Sequence, residues 1–466
     1  MLTDKKVLAA GAGESGLAAA RLLSALGARV TVTDQKAEEE LPGVRSRVPE
    51  SVGWLFGPQT PDVFEAADLI VISPGVPYDH PGLTAARSRG IEVIGEMELG
   101  FRYMNLPVLA VTGSNGKTST TSLAGHILAK FPGKRPFVGG NIGNPLCNLA
   151  AAQVQGKEAP YDWAVLEVSS FQLETVSTFA PKGAAVLNIT PDHLDRHGDM
   201  IGYFQAKCRI LENLTGSDWA ILNEDDLTLA CKNVPGIRFG FSRKMRPPFG
   251  GFVSREIRKD YLVIAEGSRI LAKVPWADFR LEGSHNQENV LAACGLAMAA
   301  GIDPAEALPA AADFAPGDHR LQLVAEINGV RYYDDSKGTN VGAVARALEN
   351  FSESIVLIAG GRDKNLDFGY LRPLVKKKVK NLILIGESRD KMKDAFSGAS
   401  SICLAGSLEE AVSRAFLLAR PGQVVLLSPA CASFDMFSSY KERGEVFIKA
   451  VSELKNRPLP PARKKN

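Results

Sequence analysis

Residues 108–118, reading Val-Leu-Ala-Val-Thr-Gly-Ser-Asn-Gly-Lys-Thr, admit few backbone courses. The β-branched, apolar opening reads as a buried strand, which the glycines at 113 and 116 bring to a turn. A helix over 119–130 is predicted to follow. A turn of this kind aims backbone N–H groups at one point, and the positive end of the helix dipole favours an anion there. Gly113, Ser114, Asn115, Gly116, Lys117, Thr118 and Ser119 therefore read as a phosphate cradle, with Lys117 as mobile cation and the Thr118 hydroxyl as a Mg²⁺ ligand. The usual pattern has glycine at position 111, where this chain has Val111. Glycines alone would also serve an ordinary strand–turn–helix corner; the Lys-Thr pair is what favours a nucleoside triphosphate.

Strand-like and helix-like segments alternate along most of the 466 residues, which predicts an α/β fold of mostly parallel sheets covered by helices. The length suggests about three domains. The first, 1–104, has strands expected at 6–10, 29–33, 69–73 and 92–94; the central one spans 105–315; the third, 316–466, has strands expected at 331–334, 355–359, 382–385 and 424–427. The stretch 236–282 looks less regular, with Gly and Pro clusters and a short β-like piece at 261–265, and 315–317 reads as a linker. Lys plus Arg (54) nearly balances Asp plus Glu (52), so bulk charge points to neither nucleic acid nor membrane. No apolar run approaches the roughly 18 residues of a membrane span, and the first residues lack a signal-peptide layout. The six cysteines are scattered without Cys-x-x-Cys spacing, which predicts reduced thiols in a cytoplasmic protein.

A second glycine turn, Gly11-Ala12-Gly13-Glu14-Ser15-Gly16, follows the first predicted strand and precedes a helix expected at 17–26. It fits the dinucleotide fingerprint, and Asp34 ends the next strand, where an acid would bond a ribose hydroxyl. Alone this predicts a nicotinamide-dependent oxidoreductase. The same geometry serves any diphosphate-linked nucleotide, including a UDP-sugar. The turn Ser73-Pro74-Gly75-Val76-Pro77 ends a third strand at the same ligand-binding edge.

Two apolar strands in the central region deliver polar residues at their ends. Trp163-Ala164-Val165-Leu166 leads to Glu167, well placed beside a P-loop for Mg²⁺, although taken by itself a surface carboxylate at a strand end is the commoner case. Residues 184–189 lead to Thr190-Pro191-Asp192-His193-Leu194-Asp195-Arg196-His197, a polar loop able to ligate metal or meet an anion. Within the helix expected at 200–214, Lys207 falls on the apolar stripe with Phe204 and Leu211. Two readings stand: an amine snorkelling to water, or an amine converted by CO₂ into an anionic, metal-binding carbamate.

Taken in order, these segments resemble the Mur ligase family of peptidoglycan synthesis. The resemblance extends through Gly140-Asn141-Ile142-Gly143, Glu167 with Ser169 to Glu174, Asn188 to Arg196, Gly283 to Asn286 with Asn289, Asp318-His319-Arg320, Asp335 to Asn340, Gly360 to Lys364 and Leu427 to Asp435. The last two, with the short first domain, are most similar to the branch that adds D-glutamate. That implies an enzyme in which ATP phosphorylates the carboxylate of UDP-MurNAc-L-alanine and the amine of D-glutamate then displaces phosphate. Catalytic roles fall on Lys117, Glu167, His193 and Lys207, with two Mg²⁺ sites served by Thr118, Glu167, His193 and carbamylated Lys207. The resemblance places Asn286, Asn289, His319, Arg320 and Asp335 against ATP, and Ser15, Gly16, Asp34, Lys36, Gly75, Asn141 and His193 against the UDP substrate. It assigns Thr339, Lys364, Ser433 and Tyr440 to D-glutamate; Tyr440 stands where Phe is usual. A monomer is expected, and closure of the third domain on ATP binding.

Overall fold

The computed structural model of the chain describes residues 2–157, 160–257, 259–315, 317–363 and 366–454, Asp195 by its backbone alone. Its apolar runs become strands in three sheets. In the first, five parallel strands lie in the spatial order Gly53–Phe56, Arg29–Asp34, Lys6–Ala10, Leu69–Ile72, Glu92–Gly95. In the nine-stranded second sheet, Val108–Thr112 lies between Trp163–Glu167 and Gly183–Val186, parallel to both. The six-stranded third sheet is parallel except for Gln322–Ile327, which pairs antiparallel with Val330–Asp334.

The less regular stretch proves to be sheet. Phe249–Glu256, Lys259–Glu266 and Arg269–Pro275 form an antiparallel extension of the second sheet. Its glycines, which suggest loop in a bare sequence, have a packing reason. A Cβ at Gly251 would lie 2.8 Å from Leu291 Cδ2, so the absent side chain lets helix Ser284–Ala299 settle against the strand. Helix Lys117–Ala129 begins two residues earlier than predicted, because Gly116 takes φ +86° as a left-handed N-cap. Helix Met200–Cys208 is shorter than predicted and passes into a tighter turn at Arg209–Leu211. Pro316 of the expected linker lies outside the described residues.

The chain up to Ile189, with Arg196–Arg280 and Asn286–Phe314, forms one compact unit holding the first two sheets. Thr190–Asp195, Leu281–His285 and the chain from Ala315 form a second unit around the third sheet. Within the first unit, helices Glu14–Ala25, Glu96–Tyr103 and Leu146–Val154 pack together and join its sheets. No helix among the described residues is long and apolar enough to cross a membrane.

Two buried carboxylates fasten the middle helix of that trio. Glu98 accepts from the N–H groups of Ser177 (3.0 Å), Thr178 (2.9 Å) and Phe179 (3.1 Å), the Thr178 hydroxyl (2.7 Å) and Arg102 Nε (2.8 Å). Burial by itself would raise its pKa, but these donors outweigh burial and hold it below the ordinary glutamate value. Glu98→Ala is expected to cost about 3 kcal/mol at neutral pH, because several buried donors lose their acceptor together. The deficit should shrink as acid protonates Glu98 in the wild type, which urea unfolding of both proteins across pH would measure.

Glu96 behaves oppositely. Its carboxylate accepts the Cys147 N–H at 2.7 Å, capping a helix whose N-cap, Pro145, offers no side-chain acceptor. Burial pushes Glu96 up to about 7, with the Cys147 and Leu146 donors pulling the other way. Between the ordinary value of 4.5 and about 7, the folded chain keeps a proton that the unfolded chain has released. Stability should therefore fall as pH rises through that window, by up to about 3 kcal/mol, and Glu96→Gln should remove this slope. Equal pH dependence of thermal unfolding in the two proteins would refute it.

Candidate functional site

The predicted phosphate cradle grows from strand Val108–Thr112, buried throughout. Gly113 takes φ +146°, and a Cβ there would press within 3.0 Å of Leu187 Cβ. Gly116 is equally constrained: its Cβ would lie 2.5 Å from Asn289 Oδ1. Lys117 Nζ crosses the turn, donating to the carbonyls of Gly113 (2.7 Å) and Ser114 (3.0 Å). Thr118, in the first turn of the helix, donates its hydroxyl to Glu167 Oε2 at 2.5 Å. Ser119 follows, half-buried.

Glu167 ends its strand as expected and is buried there, not the surface carboxylate that the sequence also allowed, and its second oxygen accepts Asn141 Nδ2 at 2.8 Å. Gly140 allows this close meeting of strand ends, since a Cβ there would come within 2.5 Å of the Glu167 carbonyl. Thr118 and Glu167 thus bring hydroxyl and carboxylate oxygens together beside the glycine turn, donors that suit Mg²⁺, while the Asn141 amide nitrogen steadies the carboxylate. No group of three His, Cys, Asp or Glu side chains able to hold a metal forms among the described residues.

Lys207 does not snorkel. It is 1% exposed, its amine donating to the Gly113 carbonyl at 2.9 Å and lying 4.7 Å above the Tyr203 ring. The amine turns inward because the P-loop supplies an acceptor where the helix packs. Tyr203 itself meets the Ser114 hydroxyl at 3.1 Å. A second clamp comes from Asn188, which accepts the Asn115 N–H and donates to its carbonyl, both at 2.9 Å. Neither Tyr203 nor Asn188 was a predicted site residue; a polar residue ending an apolar strand was the available signal for Asn188. Asn289 accepts the Thr120 hydroxyl at 3.2 Å and donates to Asn286 at 3.0 Å, so this pair flanks the cradle helix.

The amino-terminal glycine turn borders a cavity of about 510 Å³. Ser15, Asp34 and Gly75 line it, whereas Gly16 and Lys36 do not. Gly16 is needed for packing, since a Cβ would sit 1.8 Å from the Gly11 carbonyl oxygen. Asp34 accepts the N–H groups of Ala12 (2.8 Å) and Lys36 (3.0 Å), pinning the turn. Arg196 donates to the carbonyls of Pro74 and Val76 and pairs with Glu174 at 2.6 Å, tying the cavity's rim to the second sheet.

The predicted polar loop divides between the units. Arg196 and His197 belong to the first, while Thr190–Asp195, with half-exposed His193 at φ +53°, belongs to the second. There Asp192 accepts Asn340 Nδ2 at 3.1 Å. His319 is buried against Asp334 at 2.7 Å, and Gly444 makes room for its ring. Asp335 accepts the Ser428 hydroxyl at 2.7 Å; burial, with the Asp334 charge adding to it, pushes Asp335 up to about 7. Arg320 and Thr339 are half-buried and Ser433 is buried. Tyr440 carries the Lys337 amine 3.9 Å above its ring and accepts the Ser336 hydroxyl on its carbonyl at 2.7 Å. Lys364 lies outside the described residues.

The geometry is that of a P-loop α/β protein, and the comparisons narrow it. The descriptions "Mur ligase MurD-like, N-terminal domain", "Mur ligase middle domain" and "Mur ligase, glutamate ligase domain" match residues 5–95, 111–297 and 319–431. The UDP-N-acetylmuramoylalanine–D-glutamate ligases of Geobacter metallireducens and Trichlorobacter lovleyi are each 44% identical over 456 residues, covering 97% of this chain and 98% and 100% of theirs. The chain belongs to the Mur ligase family. Among solved structures, a pseudomurein peptide ligase type C from Methanothermus fervidus shares the fold at TM-score 0.61 and 19% identity, covering 97% of this chain and 100% of that one. MurF ligase from Thermotoga maritima in complex with ADP also scores 0.61, at 15% identity, covering 97% and 96%.

Proposed function

We propose that this chain is an ATP-dependent ligase that adds D-glutamate to UDP-N-acetylmuramoyl-L-alanine. The observation that carries the reading is Lys117 closing the glycine turn while Thr118 meets Glu167, in a chain similar along nearly its whole length to D-glutamate ligases. The substrate carboxylate attacks the γ-phosphorus and ADP leaves, giving an acyl phosphate. The D-glutamate amine then attacks the acyl carbon; phosphate departs and the amine loses a proton. Positioning and charge neutralisation dominate such chemistry. Lys117 and the backbone N–H groups of residues 113–119 hold the β- and γ-phosphates; the family resemblance assigns Asn286, Asn289, His319, Arg320 and Asp335 to adenine, ribose and phosphate contacts.

Thr118 and Glu167 supply oxygen donors for one Mg²⁺, which when bound screens the phosphate charge. An amine that donates to Gly113 is no metal ligand, so the second site, with Glu167 and His193, requires the Lys207 carbamate. The cavity at Ser15, Asp34 and Gly75 takes the UDP group, with Gly16 and Lys36 shaping its turn. Asn141 and His193 meet the muramoyl-alanine end. Thr339, Lys364, Ser433 and Tyr440 hold D-glutamate, where a cation and hydroxyls answer two carboxylates. The three domains divide this work as UDP-substrate (1–104), ATP (105–315) and amino acid (316–466), in a cytoplasmic monomer. Phosphate release from ATP, UDP-MurNAc-L-alanine and D-glutamate tests the assignment. Release only with another amino acid would point to a sister ligase, and a nucleotide-binding protein that never turns over would refute the enzyme reading.

A further inference from the structure

We propose that a polar pocket on the first unit, between helices Glu14–Ala25 and Leu146–Val154 and the turn Arg45–Arg47, is a separate anion site for a compact phosphate-bearing ion. The pocket encloses about 360 Å³, and Arg21, Arg47 and Lys157 bring three cationic side chains to its walls. Asn148 and Gln155 add amides.

Arg21 is already oriented for a ligand. Its Nε and one terminal nitrogen donate to Asn148 Oδ1 at 3.1 and 2.9 Å, and the other terminal nitrogen donates to the Arg47 carbonyl at 2.8 Å. These acceptors are neutral, so they fix the guanidinium plane without cancelling its charge. A guanidinium has five N–H groups, and three such bonds leave two for a guest. Burial, and then the nearby Arg47 charge, lower the Arg21 pKa. The Glu14 carboxylate, paired with Arg47, offsets part of this charge; an anion would relieve what remains at Arg21, whose planar fork matches phosphate oxygens.

One ion pair links the pocket to the glycine-turn cavity. Arg47 pairs with Glu14 at 2.5 Å, and Glu14 lines that cavity. An anion that draws Arg47 away leaves the Glu14 carboxylate unscreened beside a bound diphosphate, so nucleotide affinity falls; by linkage, nucleotide weakens the anion equally. This coupling rests on the cavity being the UDP site proposed above.

Calorimetry on the full chain tests both parts. With ADP and UDP saturating and no divalent metal, inorganic pyrophosphate should still bind at one site. Lys157→Gln and Arg47→Gln, both at exposed positions, should each weaken it about fivefold or more, whereas Lys393→Gln on the other unit should not. No residual binding, or binding unchanged in both pocket variants, overturns the site. Pyrophosphate should also weaken UDP binding several-fold in the wild type and not in Arg47→Gln; equal UDP affinity with and without pyrophosphate overturns the coupling. UDP alone is titrated first, and its failure to bind would sink the nucleotide reading while the pyrophosphate arm still decides the pocket.

Discussion

Replacing Lys117 with alanine is expected to lower kcat/KM for ATP by about a thousandfold while leaving the unfolding midpoint nearly unchanged. The amine lies across the turn, 2.7 Å from the Gly113 carbonyl and 3.0 Å from that of Ser114. It therefore closes the turn and, in the proposed role, is the cation that meets the anionic phosphate tail. Its stabilising role is small by comparison, because strand Val108–Thr112 and helix Lys117–Ala129 are held by their own packing and by the Asn188 clamp. Steady-state kinetics with varied ATP, beside thermal unfolding of the same preparations, separate the two. Turnover within threefold of wild type would remove the cradle assignment.

Lys207→Ala is expected to lower turnover at least about a hundredfold, with partial recovery on adding formate or acetate. Two roles meet at this side chain. As an amine it holds the Gly113 carbonyl at 2.9 Å, and as a carbamate it would present an anion at the glycine turn, the role proposed for the second metal site. A short carboxylate restores only the second role, so rescue identifies the carbamate and its absence identifies a purely structural amine. Labelled CO₂ gives an independent readout, a carbamate carbon resonance present in the wild type and missing from the variant. An active, unrescued Lys207→Ala would end the second-metal reading.

Much of the fold was legible because its signals are local. Val108–Thr112, Trp163–Glu167 and Ile355–Gly360 are contiguous apolar runs, each ending in the residues that a turn or site needs. Those strand positions followed from the local sequence, whereas Gly53–Phe56, Gln322–Ile327 and Ser401–Leu404 were not predicted. The antiparallel strands from Phe249 to Pro275 were obscured, because glycines at 250 and 251 look like loop until the helix that presses on them is known. The site divides similarly. Lys117, Thr118 and Glu167 are marked by the turn and strand ends that present them, whereas Asn188 and Tyr203 act through partners 73 and 89 residues away.

By itself the sequence determined which backbone could carry a phosphate, since glycine torsions and a Lys-Thr pair are properties of neighbouring residues. Only the tertiary structure decided that Lys207 turns inward to Gly113, that Glu96 keeps a proton up to about 7, and that Asp34 braces its own glycine turn. Those outcomes depend on which donors, acceptors and apolar surfaces long-range packing brings within 3 Å or so of a polar group, and burial then sets the cost of leaving that group unpaired.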